Sequence, residues 1–72
     1  MCRSIKTLFN FDPPATDIEI TESSLQFIRK ISGFRTPSKI NERAFNHAVE
    51  EIAKTSKNLL NTLKSKKAPR PT

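Results

Sequence analysis

The chain has one cysteine, one histidine and one glycine in 72 residues. A single cysteine rules out an internal disulfide, and one cysteine with one histidine cannot build a Cys/His zinc cluster. With Gly33 as the sole glycine, a glycine-rich phosphate loop is also excluded. No stretch approaches the roughly 20 apolar residues that span a bilayer. The first apolar run, Ile5 to Phe11, is broken by Lys6 and Asn10 and lacks the long apolar centre of a secretion signal. A lone thiol suits a reducing compartment. These absences lead to the expectation of a cytoplasmic protein with no membrane partner.

A chain this short buries only about 60% of its unfolded surface. Below roughly 70–80 residues a single core seldom supplies more than a few kcal/mol without staples. With no disulfide and no zinc cluster, the chain must rely on helix packing or on a partner.

Charge is plentiful and unevenly placed. The formal net charge is +6, from 13 Lys and Arg against 7 Asp and Glu. Residues 1–28 hold two bases and four acids; residues 29–72 hold eleven bases and three acids. Such asymmetry suits a polyanion without identifying one.

The apolar pattern is helical. Ile5, Leu8 and Phe9 have i, i+3, i+4 spacing and predict one or two helical turns before Asp12-Pro13-Pro14 stops regular structure. Thr16-Asp17-Ile18-Glu19 reads as a capping box, with Thr16 as N-cap and Glu19 at N3. A stripe of Ile20, Ser24, Phe27, Ile28 and Ile31 follows, with Leu25 on its shoulder and Gly33 as the C′ residue. Thr36-Pro37 is expected to open a second helix, Thr36 as N-cap and Pro37 at N1. Its stripe runs Ile40, Ala44, Phe45, Ala48, Val49, Ile52, Ala53, Ser56, Leu59, Leu60 and Leu63.

The expected fold is therefore all-α. Two main helices form an antiparallel hairpin, closed by a short N-terminal helical segment into a small three-helix arrangement. Residues 1–63 make one helical domain, and residues 64–72 make a disordered basic tail. At 1.5 Å per residue the helices span roughly 25 Å and roughly 42 Å, so the second overhangs the first. That overhang bares Leu59, Leu60 and Leu63, which Ile5, Leu8, Phe9 and Phe11 are placed to cover. If they do not, a second copy of the chain must. A β-sheet would end this scheme.

Residues that do not follow from periodicity also form a pattern. It reads M-C-R-x-I-K-x-L-x-N-F-x-P-P-A-T over Met1 to Thr16, then Q-F-I-R-K-x-S-G over Gln26 to Gly33, then P-S-x-x-N at Pro37, Ser38 and Asn41. The chain thereby resembles a family of short bacterial proteins known only as a domain of unknown function. The resemblance spans about residues 1–63 and implies a compact helical protein without an assigned activity. It brings no catalytic residues, and it marks Cys2, Arg3, Lys6, Arg29, Lys30, Ser38 and Asn41 as motif positions.

Three constellations invite a chemical reading. Removal of Met1 would set the Cys2 thiol beside an α-amine, a pair able to act as a nucleophile or to hold a soft metal. Arg3 and Lys6 would favour its thiolate. The plainer reading is a small buried hydrophobe, since a helical hairpin leaves little room for an oxyanion hole and substrate pocket. Arg29, Lys30, Arg35, Ser38, Lys39 and Arg43 gather around the turn between the helices and could bind phosphate, most plausibly that of a nucleic acid. Arg29 and Lys30 suit the first helix's negative end, whereas Lys39 and Arg43 have no such structural explanation. The plainer reading there is a solvated charged surface.

Lys64, Lys66, Lys67 and Arg70 could add phosphate contacts. No aromatic lies among these bases, so any nucleic acid would be held by its backbone rather than read by base stacking. His47, one turn from Glu50 and Glu51, is read as an exposed helix residue rather than a metal ligand. No cofactor, metal site or catalytic residue is expected. The leading expectation is a binding or adaptor module for an unknown protein, as monomer or homodimer. A protein associated with RNA or the ribosome comes second, and a thiol or metal activity at Cys2 third.

Overall fold

The computed structural model describes residues 5–71. In chain order these form strand β1 (Phe11–Asp12), helix α1 (Asp17–Ser32), a 3-10 turn (Lys39–Asn41), helix α2 (Glu42–Thr62) and strand β2 (Arg70–Pro71).

Helix α1 has the boundaries that its sequence signals predict. The Glu19 N–H donates to Thr16 Oγ at 3.2 Å, and the Thr16 N–H donates to Glu19 Oε1 at 3.0 Å. Two otherwise unpaired donors are thus satisfied reciprocally. Asp17 and Glu19 lie in the first turn, Arg29 and Lys30 in the last, and each sign complements the helix dipole. Gly33 ends the helix with φ 77°, and its N–H bonds to the Arg29 carbonyl at 2.9 Å. A β-carbon is disfavoured in that left-handed conformation, so glycine fits.

Helix α2 begins later than expected. Thr36 does not cap it and Pro37 is not its first residue; the 3-10 turn intervenes, and the α-helix runs 21 residues from Glu42. Local bonds explain the delay. Arg29 Nε donates to the Arg35 carbonyl at 2.8 Å, which shapes the connection. Asn41 Nδ2 donates to Ser38 Oγ at 3.0 Å, and Asn41 sits at φ −102°, ψ −1°, outside the regular helical well. The helix overhang on which the sequence scheme relied is correspondingly shorter.

The helices pack as a hairpin on a thin core. Only Ile20, Ser24, Ile28 and Phe45 are buried among the described residues. Ser24 is accommodated because its Oγ donates to the Ile20 carbonyl at 2.8 Å, one turn back. Lys57 pairs with Asp17 at 3.0 Å, tying the last turns of α2 to the start of α1. Much of each apolar stripe remains in water: Phe27, Ile31, Phe34, Ile40, Leu59 and Leu63 are all exposed, Ile40 at 90%.

Two expectations are corrected at the chain's ends. Residues 5–10 form no helix, so the three-helix arrangement is not made. The fold is also not free of strands, because Phe11–Asp12 pairs in parallel with Arg70–Pro71. A short segment gains little from an isolated helical turn, whose nucleation is unfavourable. Here it gains more from an extended path. Asn10 takes φ 65°, a conformation its short amide side chain tolerates, and Asn10 and Phe9 offer their carbonyls to Arg70. The Asp12–Pro13 peptide bond is cis. Arg70–Pro71 is thus a strand within the stretch for which the sequence reading expected no regular structure.

Candidate functional site

The helices and the N-terminal segment enclose an open apolar groove of about 370 Å³. Helix α1 contributes Ile20, Ser23, Ser24 and Phe27; helix α2 contributes Ile52, Ser56, Leu59 and Leu60. Residues 5–8 form the third wall, through Ile5, Lys6 and Leu8. Phe27 and Leu59 belong to the same stripes as buried Ile20 and Phe45, yet they line the open groove. Phe27 is 41% exposed and Leu59 54% exposed. The expected cover over Leu59, Leu60 and Leu63 is thus partial: Ile5 and Leu8 reach the groove, yet Leu59 and Leu63 stay exposed.

Among the described residues Lys6 is the groove's single charged wall residue, and it is engaged. Its Nζ lies 2.9 Å from Glu19 Oε2. That hydrogen bond and the carboxylate's charge raise the Lys6 pKa above the usual lysine value. The same bond, followed by the Thr16 N–H, holds the Glu19 carboxyl below the usual carboxylate range. Glu19 therefore serves both the helix cap and the third wall.

A strap formed by residues 63–71 holds the N-terminal segment from the other side. The Arg70 N–H donates to the Asn10 carbonyl at 2.8 Å. Its guanidinium donates to the Phe9 carbonyl at 2.8 Å and stacks 4.4 Å from the Phe11 ring centroid. Asn10 Nδ2 reaches Ser65 Oγ and the Ala68 carbonyl, each at 3.4 Å. Arg70, read from sequence as a phosphate contact, is thus committed to the protein itself. No local signal could have shown this, since its partners lie about sixty residues away. Lys64, Lys66 and Lys67 are exposed on the strap.

Of the six residues of the basic corner, Arg29 and the Lys39–Arg43 pair border different depressions. Arg29 is turned to the Arg35 carbonyl and also borders a depression with Lys6, Glu19 and Glu22. Ser38 precedes the 3-10 turn and accepts from Asn41 rather than capping a helix. Lys39 and Arg43 line a separate shallow depression with Glu42, Asn46, His47 and Glu50, where two carboxylates face two bases. Lys30 and Arg35 are exposed. His47 Nε2 is 3.9 Å from Glu51 on the same helix. Among the described residues, no three His, Cys, Asp or Glu side chains converge as a metal site. Cys2 and Arg3, on which the thiol reading depends, lie outside the described residues. No helix among the described residues is long and apolar enough to cross a membrane.

A thin helical hairpin with one strapped end and one open apolar groove is the class these features define. The family model of the uncharacterized conserved protein DUF2277 matches residues 1–72, and the chain belongs to that family. The expected membership in a family of unknown function therefore holds, and the match extends through residues 64–72, beyond the expected 1–63. No curated protein and no solved structure matches the chain.

Proposed function

We propose that the chain is a docking module that engages another polypeptide through the groove between α1, α2 and residues 5–8. The observation that carries this reading is the partial exposure of Phe27 and Leu59 across an apolar groove whose one charged wall residue among the described residues, Lys6, is already paired. Solvent-exposed apolar side chains that line one concavity are characteristic of a recognition surface. A helix presenting apolar residues at i, i+3, i+4 and i+7 is the matching shape. The test is an NMR titration with an amphipathic helical peptide of that pattern. Shifts confined to Ile20, Phe27, Ile52, Leu59 and their neighbours are expected, and their loss in Phe27→Glu. Absence of any shift at millimolar peptide would reject the reading.

A second reading, contact with a nucleic-acid backbone, draws support from the strap. Residues 52–72 contain six bases and no acid, and the Arg70 anchor holds Lys64, Lys66 and Lys67 at the surface. Charge reversal of those three lysines should flatten the salt dependence of RNA binding. Lys39→Glu with Arg43→Glu tests the basic corner in the same way, and an unchanged salt slope removes that corner.

A further inference from the structure

We infer that the occupant of the groove is a second copy of this chain, two hairpins stacking face to face as a four-helix bundle. The inference rests on the docking reading and names its partner.

The first argument is surface area. A folded monomer of 8.2 kDa is expected to expose about 4,500 Å². This chain exposes 6087 Å². Its radius of gyration is 13.8 Å, against about 11 Å for a compact domain of this length. The extended N-terminal segment and strap account for part of the excess. The excess of about 1,600 Å² exceeds the roughly 800 Å² that a stable interface takes from each partner.

The second argument is the core. Ile20, Ile28 and Phe45 are the only apolar side chains buried among the described residues. A chain with so little interior needs its missing layer whenever it is folded. A copy of itself is always present in the right stoichiometry. An antiparallel hairpin laid on its like closes four helices around the exposed Phe27, Ile31, Leu59 and Leu63, which would then fill one interior. The contact is isologous and closes on itself, so it ends at two chains.

The third argument is charge. Two chains of +6 repel each other unless their bases stay away from the contact. The groove meets this condition. Lys6 is neutralised by Glu19 at its wall, and Lys57 is drawn to Asp17. Lys54 lies opposite Ile52 and Leu59 by helical period. Ser23, Ser24 and Ser56 line the groove with small side chains that allow close approach.

The test is the mass of the full chain in solution, by sedimentation equilibrium between about 1 and 200 μM. The expected mass is twice 8.2 kDa at the upper end, with a melting temperature that rises with concentration. Leu59→Glu and Phe27→Glu should each weaken dimerisation at least tenfold. Since either variant could also unfold, the wild-type concentration dependence stands as an independent readout. A wild-type chain that is monomeric at 200 μM, with a melting temperature independent of concentration, overturns the inference. If that monomer still binds the amphipathic peptide at Phe27 and Leu59, the docking reading survives with a different protein as partner. If it binds only RNA, through the strap lysines, both fail in favour of the polyanion reading. A dimer unaffected by either substitution places the contact elsewhere and overturns the inference, while the peptide titration alone decides the docking reading.

Discussion

The two ends of the hairpin are built by different means. At the turn, residues 33–41, every described side-chain bond joins residues close in sequence: Arg29 to Arg35, Ser32 to Phe34, Asn41 to Ser38. Ile31, Phe34 and Ile40 stay exposed there. At the opposite end, local bonds are joined by those of Asn10 and Arg70, which link residues 55 to 61 positions apart, and Lys57 crosses from α2 to Asp17 at the start of α1. One end is a local connection with apolar residues left over. The other is a clasp that positions the third wall of the groove. Conformational change that opens the groove is therefore expected at the clasp rather than at the turn.

The sharpest way to test this contrast is around the start of α2, where Phe45 and Ile40 of the preceding 3-10 turn belong to one apolar stripe of the sequence. Phe45 is 7% exposed and Ile40 is 90% exposed. Phe45→Ala should cost about 3 kcal/mol by urea denaturation, enough to unfold much of a marginal chain. Next comes the cap of α1, where Thr16→Ala should cost about 1 kcal/mol and fray the first helical turn. At the clasp, Arg70→Ala removes a guanidinium bond and a ring contact for a loss of about 1 kcal/mol or less. Hydrogen exchange should then accelerate in residues 9–12 while the 33–41 turn is unchanged. Equal acceleration at both ends would abolish the distinction between them.

A smaller effect is expected from Lys6 and Glu19, whose pair is solvent-accessible and screened. Glu19 titrates lower when folded, so its contribution is present above the unfolded carboxylate pKa and disappears as pH falls through the folded one. Lys6 titrates higher when folded, so its contribution is present below the unfolded lysine pKa and disappears as pH rises through the folded one. Lys6→Gln should thus lower the melting temperature at neutral pH and leave it unaltered in strong acid. The smallest effect belongs to Ile40→Ala, expected within about 0.5 kcal/mol of wild type. A larger loss would show that the turn end is covered in solution by something the isolated chain lacks.

The candidate site was legible in part. The α2 stripe reads directly as Leu59, Leu60 and Leu63 left bare beyond the first helix, and Leu59 and Leu63 are exposed. Phe27, on the α1 stripe, was indistinguishable from its buried neighbour Ile28, because periodicity assigns a face without saying how far the neighbouring helix covers it. The basic corner looks continuous along the chain, yet Arg29 and the Lys39–Arg43 pair border different depressions. Sequence proximity of charges does not determine which way their long side chains turn.

By itself the sequence determined the two helices, the Thr16–Glu19 cap, the Gly33 stop and the place of Ser24 on the buried stripe. All of these depend on residues three or four apart, where backbone geometry leaves few choices. Only the tertiary structure decided the path of residues 5–12, the strand pairing with Arg70–Pro71, the commitment of Arg70 to Phe11 and the open groove. Those depend on contacts between segments some sixty residues apart, and the energies that select them come from packing that no local pattern encodes.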